Sequence, residues 1–422
     1  MFKMPDKFYQ RFLSVIIISI FLGAIATPFI VSNITKMCHA IQTTTPANII
    51  PQPLYGFFHF DSPKEEYKKV TYAWDFGPVY VTGKGFNNFN NTDIYTGQFD
   101  GSEGPILYPP ILHYLYNKTF CKFPFAQAAL LHLSFQIVVL LGATYFVLRH
   151  YRLSIMVIPV TIVYFIILFL TPVGLSWFER GQFDIYPALA ILFYMFAVDT
   201  SQGSMFAMSA FFASLKGTVF PFFIPAFIMY LLFKPSFKKL KFFLIFTSVI
   251  LAAMLFFPYC WKSCLLANYQ YQNSYIGGIT LVNKIPRWAL YIIPLMSALI
   301  YLIPLFLNKR TSSFPRTYLP YMTGVGALSI LLASLSYEFR AICLIGFLPM
   351  VIRWAIKYKQ DQPYQIGCIV LFVLFLFTVF HGYWIIDKMD LDEGTIINIY
   401  LLYFVSITTA SVFNIFSKKG CL

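Results

Sequence analysis

Charge is what this chain has least of. Only 11% of its 422 residues are Asp, Glu, Lys or Arg, and acids are the rarer sign, 17 against 31 bases. A soluble globular domain carries about 25% charged residues, so a water-soluble domain is excluded. Nucleotide and metal signatures are missing as well. There is no P-loop and no GxGxxG, and His39, His59, His113, His132, His150 and His381 form no HxxxH or HExxH pair. No dedicated metal site is expected. The cysteines Cys38, Cys121, Cys260, Cys264, Cys343, Cys368 and Cys421 show no CxxC or metal-ligand spacing. Cys38 and Cys121 flank the first long polar stretch; they would pair in an oxidising compartment or stand as unrelated thiols, the plainer reading. No repeat of about 20 to 50 residues and no inverted symmetry is visible, which disfavours the commoner secondary transporters.

What is present is apolar: 58% hydrophobic and 20% aromatic residues. The composition defines an all-α polytopic membrane protein. The net charge of +14 comes from Lys and Arg scattered through short loops between apolar runs. That pattern sets topology and meets anionic membrane lipids, and no nucleic-acid partner is expected. Lys3, Lys7 and Arg11 against Asp6 place the N-terminus in the cytoplasm. Ala24-Ile25-Ala26-Thr27 is a weak cleavage cue, so 12–31 reads as a retained first span. Residues 33–124 then form the first extracytoplasmic loop, long, aromatic and partly ordered, with short helices along the interface.

Further spans are expected at 125–148, 153–171 and 185–198. The apolar run 205–233 is too long for one untilted crossing. Lys216-Gly217 and Pro221 split it into limbs 205–215 and 219–233. Spans at 242–261, 288–307, 318–336, 341–356, 364–384 and 395–416 follow. The result is one integral membrane domain, 1–422, of about 12 transmembrane helices (about 11–13) with both ends cytoplasmic. Asn33, Asn90 and Asn117 begin N-glycosylation patterns, which arise by chance in Asn-rich loops and fix no compartment.

In this topology the unusual charges share the outer surface. Asp75 lies in the loop, within Trp74-Asp75-Phe76-Gly77-Pro78-Val79-Tyr80; Glu179, Arg180 and Asp184 open the fourth span. Lys216 marks the break, and Glu338 and Arg340 end a later span. Each alone reads as an ordinary interfacial charge; together they read as a site, because ionisable groups near a bilayer are costly. A carboxylate among aromatics can take a proton from a hydroxyl nucleophile. Arg180, Lys216 and Arg340 would hold a phosphate and the charge developing on it. Such a set fits sugar transfer from a lipid phosphate to a hydroxyl. It fits proton-coupled transport less well, since no acid falls mid-span. A lipid-linked oligosaccharide flippase or polymerase-like protein is the alternative.

Four sequence elements, in this order, resemble the GT-C class of multi-spanning glycosyltransferases. The first is Asp75-Phe76-Gly77-Pro78-Val79-Tyr80 with Asp93-Ile94-Tyr95 and Tyr108-Pro109-Pro110. The second is Arg180-Gly181-Gln182-Phe183-Asp184, and the third is Leu215-Lys216-Gly217-Thr218-Val219-Phe220-Pro221. Ser336-Tyr337-Glu338-Phe339-Arg340 is the weakest. The nearest likeness is to the bacterial polyprenol-phosphate-mannose-dependent mannosyltransferases. Two departures stand out. Proline follows the lysine later than is usual there, and no soluble outer domain follows the last span.

The resemblance implies a GT-C-like fold and transfer, with inversion, of mannose or another hexose or pentose. The donor would be a polyprenyl-phosphate sugar, the acceptor a lipid or glycan hydroxyl. It implies Asp75 as the base, Arg180 and Gln182 near the donor phosphate or sugar, and Lys216 near the phosphate. Tyr80, Tyr108, Asp93, Glu179, Asp184 and Glu338 would support them. Members of the class differ in metal use; a divalent ion (Mg or Mn) would find Asp93, Glu103 and Asp184 as carboxylate ligands. The expected setting is a bacterial inner (plasma) membrane with the site on its outer face, the endoplasmic reticulum membrane being the other option.

Overall fold

The computed structural model describes residues 6–42, 73, 75–85, 108–232, 236–256, 261, 264 and 338–357. Among these, every regular element is helical, and the chain is an α-helical membrane protein. Helix α1 spans Asp6–Gln42. It was expected to end near Val31 but runs on to Gln42, giving 37 residues or about 55 Å, nearly twice the hydrocarbon thickness. The extension is held by packing: Met37 and Ile41 are fully buried, and Asn33 Nδ2 donates to the Phe169 carbonyl at 2.8 Å. Lower down, Ile17, Phe21, Ile25 and Phe29 are exposed, as suits a face turned to lipid.

The loop after α1 contributes two short helices, α2 (Phe76–Gly85) and α3 (Pro110–Lys118), and a 3-10 turn, Phe120–Lys122. Asn117 Nδ2 donates to the Gly83 carbonyl and ties α3 to α2. Cys121 and Cys38 are both free thiols. Helix α4 (Phe125–His150) follows, then α5 (Val157–Leu170) and α6 (Pro172–Arg180). Thr171 and Pro172 break α5 from α6 with a 71° bend. Thr171 Oγ1 accepts from Gly174 N–H as an N-cap, and Pro172 occupies the first turn, where its missing N–H costs nothing. Gly174 sits so close to the Ile167 carbonyl that a side chain there would collide with it.

Helix α7 (Ile185–Thr200) is the axis of the bundle. Every residue from Ile185 to Val198 is buried, the signature of a helix covered on all sides. Its neighbours include α4, α8 (Gly203–Leu215) and a 3-10 segment, Glu338–Phe347. Gly346 of that segment lies against the Ala188 carbonyl, where a Cβ would not fit. After α8 the chain breaks at Lys216, makes a 3-10 turn over Gly217–Val219 and continues as α9 (Phe220–Leu232). The break therefore falls where Gly217 and Pro221 predict it. Helices α10 (Phe237–Leu255) and α11 (Leu348–Lys357) complete the described part.

Two described helices are long and apolar enough to cross a membrane alone, Leu13–Gln42 and Phe125–His150; the bent α5–α6 pair makes a third if it forms one broken span rather than a re-entrant loop. The remaining apolar helices are shorter, and α7 is about 24 Å long by helical rise. The spans expected at 288–307, 318–336, 364–384 and 395–416 lie outside the described residues. At the end of the bundle where α4 and α7 finish, Tyr151 donates to Asp199 Oδ2 at 2.5 Å. The Arg353 guanidinium lies 4.3 Å from the Tyr151 ring centre. Asp199, an acid at the end expected to be basic, is thus engaged within the fold.

Candidate functional site

The site is built on the end of α6. Gly181 turns the chain with a left-handed backbone, φ +64°. Gly181 N–H bonds to Phe178 O at 3.1 Å, and Gln182 N–H to Trp177 O at 3.0 Å. This is a Schellman ending, which satisfies two of the four carbonyls a helix leaves unpaired. The other two are taken by the first loop. Ala73 N–H bonds to Glu179 O at 2.6 Å, and Asp75 N–H to Arg180 O at 2.9 Å. The polar loop and the polar stretch at 177–184 therefore meet through their main chains.

That docking sets Asp75 beside Arg180. Arg180 Nε donates to Asp75 Oδ2 at 2.5 Å, and Gln182 Nε2 donates to the same oxygen. Among the described residues nothing donates to Oδ1, and the Asp75 side chain is 18% exposed. Gln182 Oε1 accepts from Lys216 Nζ at 2.8 Å and from the Tyr108 hydroxyl at 3.3 Å. The amide cannot be turned round: an ammonium only donates and a carboxylate only accepts. Lys216 Nζ also donates to Asp184 Oδ2 at 2.9 Å, and its ammonium lies over the Tyr108 ring, 5.7 Å from the centre. Asp184 is wholly buried and Lys216 nearly so. Asp75, Arg180, Asp184 and Lys216 thus form two ion pairs bridged by one amide.

The remaining expected residues are placed as follows. Tyr108 packs its ring on Phe183 at 4.6 Å and belongs to the cluster. Glu179 is buried and supplies a carbonyl to the docked loop. Tyr80 points elsewhere: its hydroxyl donates to the Phe123 carbonyl at 2.8 Å and anchors α2 to the 3-10 turn. Asp93 and Glu103 lie outside the described residues, as do the side chains of Glu338 and Arg340.

Beneath the cluster lies a buried network that sequence reasoning missed. His132 Nε2 is 3.2 Å from the Gly181 carbonyl, and Gln136 Nε2 donates to the Gln182 carbonyl at 2.8 Å. His132 Nδ1 is 2.5 Å from the Tyr116 hydroxyl, which is 2.7 Å from that of Tyr186. Phe76, next to Asp75, stacks on the His132 ring at 5.1 Å. Burial pushes the Tyr116 phenol well up, helped by Tyr186, so it stays protonated. His113 on α3 is pushed down to about 3 by burial, against a backbone hydrogen bond at Tyr108. Burial raises the Cys121 thiol to about 12, with Lys84 working the other way. One signal was available: His132 and Gln136 are polar residues four apart in an apolar run.

The described residues do not form a metal centre. No three His, Cys, Asp or Glu side chains converge among them, and the carboxylates of Asp75 and Asp184 already face Arg180 and Lys216. No family model, curated protein or solved structure matches the chain.

Proposed function

We propose that the chain is a GT-C-like membrane glycosyltransferase, transferring a sugar from a polyprenyl-phosphate carrier to a lipid or glycan hydroxyl. The supporting observation is the bonding of Asp75: Oδ2 is fixed by Arg180 and Gln182, while Oδ1 takes no hydrogen bond from the described residues. A base needs that combination, one oxygen held and the other open to an incoming proton. The acceptor oxygen bonds to the sugar's C1 as its proton passes to Oδ1. The C1–O bond to the carrier breaks from the opposite face, and its electron pair leaves with the phosphate, inverting the sugar. Arg180 and Lys216 lie at the same cluster as cations for that phosphate. Asp184 and Gln182 hold Lys216 in this state, so the carrier phosphate competes with Asp184 for the ammonium.

The basic short loops favour an extracytoplasmic face for the site; the setting proposed is a bacterial inner (plasma) membrane, with the endoplasmic reticulum membrane as the alternative. The test uses the full chain in liposomes with radiolabelled polyprenyl-phosphate mannose, other polyprenyl-phosphate sugars and lipid acceptors. Sugar transfer that Asp75→Asn abolishes supports the reading. Transfer at near wild-type rate in that variant removes Asp75 as base. Sugar lipid crossing the bilayer without a new glycosidic bond points to the flippase alternative.

A further inference from the structure

The main chain from Trp177 to Asp184 has a partner at every carbonyl. Backbone N–H groups take those of Trp177, Phe178, Glu179, Arg180, Phe183 and Asp184. The carbonyls of Gly181 and Gln182, directly under the cluster, have no backbone donor among the bonds described. They are taken instead by His132 and Gln136, which lie four residues apart on one face of α4 and are both fully buried. Two polar side chains inside an apolar membrane helix are costly unless something else requires them.

The proton positions follow from the partners. Gly181 O can only accept, so His132 Nε2 carries the proton and Nδ1 accepts from the Tyr116 hydroxyl. Tyr116 oxygen then accepts from Tyr186, whose hydroxyl has no other partner in the bonds described. This tautomer places all three protons; the other strands one of them. Gln136 Nε2 carries two protons and gives one to Gln182 O; because His132 Nε2 is itself protonated in this tautomer, the 3.1 Å approach between the two nitrogens is a contact between donors.

We infer that His132 and Gln136 are positioning residues: they pin the Gly181–Gln182 main chain so that the Gln182 amide spans Lys216 and Asp75. Neither touches the Asp75 carboxylate. They act through the two peptide units that flank the Gln182 Cα, fixing where Gln182 Nε2 meets Asp75 Oδ2 and hence where Oδ1 points. The inference rests on the glycosyltransferase reading for its effect on rate, but the pinning itself is testable without transfer.

The first measurement is maleimide labelling of Gln182→Cys in the full chain in liposomes, mapped to that peptide by mass spectrometry. Gln182 is 1% exposed, so labelling is slow. Adding Gln136→Met or His132→Met should raise the rate about tenfold, by opening a buried segment at a cost of about 1.4 kcal/mol. Adding His132→Gln, whose amide N–H still reaches the Gly181 carbonyl, should restore slow labelling. Equal rates in all variants overturn the pinning, and His132→Gln keeps that comparison open should a methionine variant fail to fold.

The second measurement is kinetic. With Gln182 intact, Gln136→Met and His132→Met should lower kcat about 10- to 100-fold while donor KM moves less than about threefold, since a displacement near 1 Å costs that much. His132→Gln should recover most of the rate. Slow labelling with unchanged kcat overturns the positioning role. Near wild-type transfer by Asp75→Asn overturns the functional reading instead and leaves the labelling result standing.

Discussion

Arg180 grips Asp75 through the guanidinium Nε, 2.5 Å from Oδ2, and does so across 105 residues of sequence. The grip gives Arg180 two separable tasks, orienting the carboxylate and offering charge to a phosphate. Arg180→Lys keeps the charge and loses the oriented Nε donor. It should therefore lower kcat with little change in donor KM, whereas Arg180→Ala should lower kcat and raise donor KM as well. Steady-state kinetics with donor and acceptor varied in turn separates them; an unchanged kcat in Arg180→Lys removes the orienting task.

Lys216 and Asp184 form a buried pair whose members are worth more together than apart. Lys216→Met strands the wholly buried Asp184 carboxylate, and breaking one partner of such a pair costs about 3–5 kcal/mol. The double variant Lys216→Met with Asp184→Leu should regain most of that stability and none of the transfer. Thermal unfolding followed in detergent, with transfer measured in parallel, checks both halves. A double variant no more stable than the single one contradicts the pairing argument.

Gly181 combines φ +64° with a neighbour: a Cβ there would lie 2.9 Å from Phe76 Cβ. Gly181→Ala meets both the left-handed penalty of about 1 kcal/mol and that collision. The expected outcome is a lower unfolding temperature and faster proteolysis around Ala73 to Phe76, since the loop docks on the same turn. Unchanged proteolysis would show that the loop holds without the turn.

His113 links stability to acid. Its folded value is about 3 against an ordinary 6.5, so the unfolded chain takes up the proton first as pH falls. The stabilisation is whole above 6.5 and is lost progressively as pH drops toward 3. His113→Leu removes this linkage, so its unfolding temperature should fall less than the wild type's between about pH 7 and pH 4. Parallel slopes for the two proteins would show that other groups govern the acid response.

The members of the cluster were legible because charge is rare in this chain. Asp75, Arg180, Asp184 and Lys216 stand out in apolar surroundings, and the break at Lys216 could be read from Gly217 and Pro221. Their pairing was not legible, since Lys216 could as easily have met Asp75 as Asp184. Helix α6 was hidden because Glu179, Arg180 and Gln182 made 177–184 resemble a loop, although Pro172 to Arg180 is helical. The extension of α1 was hidden for the opposite reason: its polar residues suggested solvent, while Met37 and Ile41 are buried. His132, Gln136, Tyr116 and Tyr186 matter through the register between α3, α4, α7 and the end of α6, which no single segment reports.

Beside the Asp75–Arg180 ion pair, the loop joins α6 by two main-chain bonds, Ala73 to Glu179 and Asp75 to Arg180. Where the fold has room for the new side chain, a substitution leaves those two bonds intact, because every residue but proline brings the same N–H. A length change does not. One residue inserted or deleted between Ala73 and Asp75 would move the second donor off its carbonyl and carry the carboxylate away from Arg180. The spacing between these two positions is thus intolerant of alteration, and position 73 is little freer, because Ala73 is fully buried with a left-handed φ of +59° that bulky or β-branched residues resist.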